Sequence, residues 1–275
     1  MKHTEWTTAI SSTRNDYKYL CELKENGIDG IEYSVSAQRA KECDWARFKR
    51  NADDANVALL SYHIPFGELT DISSPDEENR KNACEEVKYF VSCAAGIGIK
   101  RFVLHPSYEP IADSDREVCM AQAKRSLAEL AEFVAEYDAV LCVENLPRSC
   151  LGHNIAEMKE LLSADARLRV CFDVNHLLLE FGCSHRDFVS SLGDMIVTCH
   201  MSDYDFVDEK HYFCGSGLIN WDELIGLLED CGYCGPFIFE GGFAPHRVNK
   251  DVPYGSIATA KERQMRIREF KGGAV

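Results

Sequence analysis

Short runs of apolar residues alternate with segments of helical periodicity along nearly the whole chain. Eight of these runs have the length and the branched or aromatic content of buried β-strands, namely Trp6–Ile10, Gly30–Tyr33, Val57–His63, Phe102–His105, Ala139–Glu144, Arg169–Asp173, Ile196–His200 and Phe237–Glu240. Between them, apolar residues recur at helical spacing, for example at Val87, Phe90, Val91 and Ala94. Strands that alternate with helices predict βαβ units and therefore a parallel sheet.

Three tetrapeptides carry the signals that begin a helix. Ser74–Glu77 has the spacing of a capping box, with proline at the first helical position. Ser114–Glu117 and Asn220–Glu223 repeat the polar cap and the glutamate three residues later. We therefore expect helices to begin at these three points, each with an apolar face that packs against the sheet.

Eight strand–helix units of about 34 residues each fit a closed (β/α)8 barrel, the TIM barrel. We predict this α/β fold for residues 1–275 as a single domain, because no linker or low-complexity tract divides the chain. An open, doubly wound sheet is the alternative. Its usual Gly-x-Gly-x-x-Gly motif, however, does not follow the first predicted strand.

Charge and composition exclude several classes of partner. The formal net charge of −15 opposes binding to nucleic acids, because an acidic surface repels a polyanion. No apolar stretch has the length of a membrane helix, and the N-terminus lacks the apolar core of a secretion signal. The cysteines are odd in number and irregularly spaced, which favours reduced thiols over a disulfide framework. These features predict a cytoplasmic protein that does not bind membranes, and they disfavour nucleic acid as a partner.

Residues able to bind a metal stand at the ends of six predicted strands: His63, His105, Glu144, Asp173, His200 and Glu240. All strands of a parallel barrel end at one rim, where barrel active sites lie, so we expect these side chains to converge. The layer below is then filled by the residues two positions earlier in four strands, Val103, Cys142, Cys171 and Ile238. Converging carboxylates repel one another unless a cation lies between them. Oxygen and nitrogen ligands of this kind suit Mn²⁺, Zn²⁺, Mg²⁺ or Co²⁺.

These motifs resemble those of the xylose isomerase-like TIM barrels, a group that includes sugar-phosphate isomerases and epimerases, ketose 3-epimerases and endonuclease IV. The resemblance runs from the segment GIDGIEYS at residues 27–34 to FIFEGG at residues 237–242. It implies that His176 contacts a substrate oxygen. It also implies a catalytic metal, with Mn²⁺ or Zn²⁺ as the first candidates, bound by Glu144, Asp173, His200 and Glu240.

The similarity to endonuclease IV implies further metal positions. His63 and His105 match residues that hold a second zinc ion in that enzyme, and Glu209 with His211 matches an Asp-x-His pair for a third. Hydrolysis of phosphodiester bonds at abasic sites in DNA by a multi-zinc centre is therefore an alternative function. The similarity to the ketose 3-epimerases implies carbohydrate chemistry instead, although residues 201–210 lack the arginine that those enzymes place after the metal histidine.

Carbohydrate chemistry assigns roles to two glutamates. A cation next to a sugar carbonyl makes the adjacent C–H acidic. Glu144 and Glu240 would then take a proton from one face and return it on the other through an enediolate. We therefore predict a metal-dependent isomerase or epimerase of a small sugar or sugar phosphate. A dehydratase or lyase acting on a keto-sugar or polyol acid begins with the same step and is an alternative, as is a sugar-binding barrel without catalysis.

Other residues near the predicted rim are candidate substrate contacts. Arg148 and Arg247 follow the fifth and eighth predicted strands and carry the positive charge that binds a phosphate or carboxylate. Asp203 follows the seventh predicted strand. The family resemblance also implies assembly into a homo-oligomer.

Overall fold

The computed structural model of the protein describes residues 7–241. Within them, eight parallel strands close into a barrel in chain order. The strands are β1 (Thr8–Ser12), β2 (Gly30–Ser34), β3 (Ala58–His63), β4 (Arg101–Leu104), β5 (Val140–Glu144), β6 (Arg169–Asp173), β7 (Ile196–Met201) and β8 (Phe237–Phe239). The helices are α1 (Tyr17–Glu25), α2 (Ala37–Lys41), α3 (Trp45–Asp54), α4 (Glu77–Ala95), α5 (Arg116–Ala135), α6 (Ile155–Leu162), α7 (His185–Leu192) and α8 (Trp221–Asp230).

The closure of the sheet decides between the two predicted topologies. β1 pairs in parallel with β8 as well as with β2, so the sheet has no open edge. The predicted (β/α)8 barrel is therefore confirmed, and the open, doubly wound sheet is excluded. The assignment of residues 1–275 to one domain extends beyond the described part of the chain and stays a prediction.

Most predicted strand ends lie within one or two residues of the observed ends, the usual uncertainty of such boundaries. β4 ends at Leu104 and β8 at Phe239, so His105 and Glu240 follow their strands instead of ending them. Trp6, the predicted first residue of β1, lies outside the described residues.

One of the three predicted helix caps is confirmed. The Asn220 side chain accepts a hydrogen bond from the backbone N–H of Glu223 at the start of α8. The prediction for α4 was wrong, because Asp76 caps this helix by accepting from the N–H of Asn79. Ser74 lies two residues before that position. The cap predicted at Ser114 was also wrong, because α5 begins one residue later than this cap requires.

The barrel interior below the rim is filled by small apolar and thiol side chains. Val103, Cys142 and Cys171 form a fully buried cluster inside the barrel, which confirms three members of the predicted layer. Ile238 is also completely buried. No disulfide joins cysteines within residues 7–241. Among the helices of this same segment, none has both the length and the apolar character needed to cross a bilayer.

Candidate metal centre

Four side chains from neighbouring strands converge at the C-terminal rim of the barrel. Glu144 and Asp173 end β5 and β6, His200 lies near the end of β7, and Glu240 follows β8. The Nδ1 atom of His200 is 2.8 Å from a carboxylate oxygen of Glu240, 3.3 Å from one of Glu144 and 3.7 Å from one of Asp173. One ligand atom from each residue lies within 4.8 Å of the other three. The structure thus brings together the four residues predicted to bind the catalytic metal.

Backbone pairing determines where these side chains stand. The register between β6 and β7 shifts between Val170 and Cys171, and after this irregularity Asp173 lies directly beside His200. Irregularities of this kind re-aim side chains near active sites. Asn145 strengthens the arrangement, because its side chain accepts from the backbone N–H of Asp173 and donates to the Asp173 carbonyl, both at 2.9 Å.

The donor set fits a divalent cation. Glu144, Asp173 and His200 are almost completely buried. The Oδ2 atom of Asp173 and the Oε2 atom of Glu240 are buried without an aligned hydrogen-bond donor among the described residues. Burying an unpaired carboxylate oxygen is costly. A divalent cation removes that penalty, and three carboxylates with one imidazole match the ligand preferences of Mn²⁺, Zn²⁺, Mg²⁺ and Co²⁺.

His63 and His105 lie on the opposite side of Glu144. Their Nε2 atoms are 3.1 and 3.3 Å from Oε2 of Glu144, whereas Oε1 faces His200. The Nδ1 atom of His63 contacts the carbonyl oxygen of Ile64 at 3.0 Å. A proton on that nitrogen leaves the Nε2 lone pair directed at Glu144, which is the form of histidine that binds metals. Glu144, a member of the four-residue set, therefore also contacts this histidine pair through its other oxygen.

His176, Glu209 and His211 form a third group of ligand-type atoms within 4.8 Å of one another. The Nε2 atoms of His211 and His176 are 2.7 and 3.6 Å from the same oxygen of Glu209. His176 also approaches Oδ2 of Asp173 at 3.6 Å, so this group adjoins the four-residue set. A contact of 2.8 Å between Nδ1 of His176 and the carbonyl of Asn145 orients the ring.

The surrounding carboxylates raise the pKa values of three histidines. Burial alone would lower these values, but the hydrogen bond and charge of Glu144 raise the pKa of His63 to about 9. Carboxylates near His176 likewise raise its pKa to about 10 against the effect of burial. The pKa of His211 rises to about 9 despite burial, mainly through its hydrogen bond with Glu209. Without a cation, these three histidines are therefore protonated on both ring nitrogens and positively charged at neutral pH.

The carboxylates of the four-residue set differ in their affinity for protons. Burial raises the pKa of Asp173 to about 7, because it outweighs the opposing charge of His176. Burial also disfavours the ionised forms of Glu144 and Glu240, but the charge of His200 holds both pKa values below the usual range. The two glutamates are therefore ionised at neutral pH and able to accept a proton.

The raised pKa of Asp173 predicts a pH-dependent metal affinity. Below pH 7 this carboxyl holds a proton in the metal-free protein, and metal binding must displace it. We expect the apparent dissociation constant for Mn²⁺ to rise at least about tenfold for each pH unit below about 7. Calorimetric titrations between about pH 5.5 and 7.5, in buffers with different ionisation enthalpies, measure both the affinity and the released protons. A constant affinity over this range would contradict the assignment of Asp173 as a ligand.

Glu32 is a site residue that the sequence reasoning missed. It lies in β2, is completely buried, and places one carboxylate oxygen 2.8 Å from Nε2 of His200. Its segment, GIDGIEYS, contributed to the family resemblance, but no role was assigned to its glutamate. The available signal was an acidic residue inside an otherwise apolar strand, which is rarely buried without a partner.

The predicted substrate contacts lie around this centre with partners of their own. Arg148 forms ion pairs with Glu109, Asp208 and Glu209 in the loops after β4 and β7. Contact between Arg148 and a substrate anion would require it to exchange one of these pairs. Its backbone has a positive φ of 52°, a strained conformation for a side chain of this size. Arg247 lies outside the described residues.

Asp203 is completely buried, and both of its carboxylate oxygens accept hydrogen bonds from the segment that follows β7. One carboxylate oxygen accepts from the backbone N–H groups of Tyr204 and Ile219, and the other accepts from Gly215 and from the indole of Trp221. The turn packs closely here: a Cβ atom at Gly217 would lie only 2.3 Å from the Asp203 carboxylate. Asp203 therefore organises the loop between β7 and α8.

Fold and site together define a TIM-barrel protein with a candidate metal centre of carboxylates and histidines at the C-terminal rim of the barrel. The chain belongs to the xylose isomerase-like TIM barrel family, whose sequence model matches residues 20–254. The family resemblance inferred from the sequence motifs is thereby confirmed.

The individual relatives have low sequence identity to this chain. An uncharacterized protein from Methanocaldococcus jannaschii, MJ1311, is 27% identical over 186 residues, which cover 65% of this chain and 62% of that protein. The L-ribulose-5-phosphate 3-epimerase UlaE of Salmonella heidelberg is 23% identical over 81% of each chain. The crystal structure of a D-tagatose 3-epimerase-like protein matches with a TM-score of 0.81 and 22% identity, over 97% of this chain and 98% of that one. Two of these three proteins are thus named as an epimerase or as epimerase-like, and the structural match shows that this chain shares the fold of the latter.

Proposed function

We propose that this protein is a divalent-metal-dependent isomerase or epimerase of a small sugar or sugar phosphate. The observation that carries the proposal is the placement of Glu144 and Glu240 beside the same atom, Nδ1 of His200, at 3.3 and 2.8 Å. Both carboxylates are ionised at neutral pH, and they come from β5 and from the end of β8, so they approach the centre from different directions. Mn²⁺ and Zn²⁺ are the first candidates for the cation.

In this proposal, each residue of the centre has a defined task. Glu144, Asp173, His200 and Glu240 hold the cation, which when bound supplies positive charge beside the substrate carbonyl and acidifies the adjacent C–H. One glutamate would remove this proton, and the other, after taking up a proton from solvent, would donate it to the opposite face of the resulting enediolate. The Nε2 atom of His176 lies 3.6 Å from Asp173 and has no aligned hydrogen-bond partner among the described residues. We assign this nitrogen to a substrate oxygen at the rim.

Arg148 has an indirect role in this arrangement. Its guanidinium pairs with Oε2 of Glu209 at 2.9 Å, and the other oxygen of that carboxylate contacts His211 and His176. Arg148 thus holds Glu209 in the orientation that fixes both histidines at the rim. Asp203 supports the same loop, because its backbone pairs with that of Tyr212, the residue after His211.

A substrate panel tests the proposed reaction. Ketoses and ketose phosphates are incubated with enzyme and Mn²⁺, and the products are separated by chromatography. We expect at least one substrate to be converted to its epimer or isomer, and chelation of the metal to abolish the conversion. Conversion that persists fully after chelator dialysis would contradict the metal-dependent mechanism. Loss of water from a substrate would instead favour the dehydratase or lyase alternative.

A multi-zinc phosphodiesterase is the second candidate function. The specific observation in its favour is that the pair His63 and His105 and the group containing His176 and His211 both border the four-residue set. Opposed to it are the net charge of −15 and the pairing of Arg148, a cation that could contact a DNA backbone, with three carboxylates.

Metal content and DNA cleavage distinguish the two functions. We expect tight binding of one equivalent of metal and no efficient incision of an abasic duplex at low salt with added zinc, because the acidic surface repels DNA. Elemental analysis after dialysis and gel electrophoresis of the labelled duplex are the measurements. Three tightly bound zinc ions together with efficient, metal-dependent incision would establish the phosphodiesterase in place of the sugar enzyme.

Homo-oligomer formation and a cytoplasmic location stay predictions.

A further inference from the structure

A carboxylate lies beneath the metal centre, inside the barrel. Glu32 is completely buried, and its Oε2 atom accepts a hydrogen bond of 2.7 Å from the hydroxyl of Ser61. Its Oε1 atom has no aligned hydrogen-bond donor among the described residues, yet it is 2.8 Å from Nε2 of His200. A buried carboxylate is unfavourable unless a specific partner offsets its desolvation. Among the described residues, the ion pair that Glu32 forms is the one with His200.

The backbone is built to place Glu32 in this position. β2 and β3 pair in regular order up to Ile31 and Leu59, but the next pair joins Glu32 with Ser61, so Leu60 is an extra residue in β3. Without this bulge, Leu60 would lie beside Glu32 and would offer no hydroxyl. Gly30 leaves room for the displaced leucine, because a Cβ atom there would lie 2.5 Å from Leu60 Cδ1. Bulges commonly redirect side chains next to functional sites.

The two ring nitrogens of His200 face opposite environments. Nδ1 points at the oxygens of Glu144 and Glu240, whereas Nε2 points down at Glu32. A neutral imidazole carries one proton, and the nitrogen that binds a metal must be the unprotonated one. If Nδ1 binds the cation, the proton has to stand on Nε2, directly opposite the Glu32 carboxylate. Partners of this kind fix the tautomer of a ligand histidine and increase its basicity.

We propose that Glu32 is a positioning residue of the metal centre. It accepts a hydrogen bond from the Nε2–H group of His200 and thereby keeps Nδ1 directed at the cation. Cys171, whose Sγ atom is 3.5 Å from the same nitrogen, is a weaker neutral partner that cannot supply the charge. This inference rests on the proposed metal centre. It adds that the orientation of the ligand His200 depends on Glu32, a carboxylate in the middle of β2.

The variant Glu32→Gln tests this role. Glutamine keeps the size and a hydrogen-bonding oxygen but removes the charge, so we expect Co²⁺ affinity to fall about 10- to 100-fold, as is typical for loss of such a partner. The visible absorption bands of bound Co²⁺ should shift as well, because the basicity of the His200 ligand changes. Ser61→Ala is the matched control: it removes the other hydrogen bond of the carboxylate but leaves its charge, and we expect a smaller loss of affinity. Circular dichroism of the metal-free proteins verifies that each variant is folded.

A measurement on the unaltered protein makes the test independent of variant folding. In the zinc-loaded protein, nitrogen-15 NMR of the histidine rings should show the His200 proton on Nε2. Equal Co²⁺ affinity and spectra for the natural protein and Glu32→Gln would overturn the role of Glu32 alone. A proton on Nδ1 would overturn both the role of Glu32 and the binding of the cation through Nδ1 of His200. Failure of the natural protein to bind Co²⁺ at all would overturn the proposed metal centre and this inference with it.

Discussion

Replacing Glu144 or Glu240 with glutamine is expected to lower the turnover number by about 10²- to 10⁴-fold, the usual contribution of a positioned general acid or base. Each amide retains the shape of the side chain and a weak ligand oxygen, but it cannot accept the substrate proton. The expected pattern is therefore a large fall in kcat with metal still bound. Steady-state kinetics on a substrate found in the ketose panel, with metal content measured in parallel, gives this comparison.

A glutamate elsewhere on the rim provides the control. Glu180 is exposed and lies in the turn at Leu179–Phe181 after β6, so Glu180→Gln should leave kcat within about twofold of the natural protein. If both Glu144→Gln and Glu240→Gln retained near-normal turnover with metal bound, the two carboxylates could not be the proton-transfer pair. Loss of activity in only one variant would indicate a single base and an isomerisation on one face.

Removing Asp173 or His200 is expected to abolish the stabilisation that a bound metal gives to the fold. Metal at about 100 times its dissociation constant stabilises the natural protein by about 2.7 kcal/mol, since it binds only the folded state. For a chain of this size, that corresponds to a rise in Tm of about 5 to 10 °C. Asp173→Ala and His200→Ala should show almost none of this rise, because each loses a ligand of the four-residue set.

Thermal unfolding with and without added Mn²⁺ measures this difference for each variant against its own metal-free baseline. The baseline matters because Asp173→Ala also removes a carboxylate that is buried among other acids, so its metal-free form need not be less stable. His153→Ala is a suitable control, as His153 lies in the loop after β5, stacks on Phe181 and belongs to none of the ligand groups found among the described residues. If both ligand variants kept the natural metal-induced rise in Tm, the four-residue assignment would be wrong.

The sequence was sufficient to predict the barrel and the convergence of its main site residues, for a physical reason. In a parallel barrel, the end of every strand reaches the same rim, so Glu144, Asp173 and His200 needed only their position at strand ends to be placed together. Local helix starts were harder to predict. At α4 the sequence offers two polar caps two residues apart, Ser74 and Asp76, and in the structure Asp76 accepts from the N–H of Asn79.

The missed and altered assignments depend on contacts between distant segments. The proposed role of Glu32 depends on its contact with His200, which is far along the chain. It also depends on a one-residue shift in register at Leu60, which the local sequence does not predict. Asp203 follows a strand just as the ligands do, but its oxygens are occupied by N–H groups of its own loop. The ion pairs of Arg148 likewise join three loops, whose meeting is a property of the folded barrel.

Incorporation of solvent deuterium tests the central claim most directly. A ketose or ketose phosphate that the enzyme converts is incubated in D₂O with Mn²⁺, and the product is examined by NMR and mass spectrometry. Proton transfer by Glu144 and Glu240 predicts one deuterium on the carbon beside the carbonyl, and no incorporation with Glu144→Gln or after removal of the metal. Product that forms at the full rate without any solvent deuterium would contradict the mechanism, because it would mean transfer of the original hydrogen within the substrate.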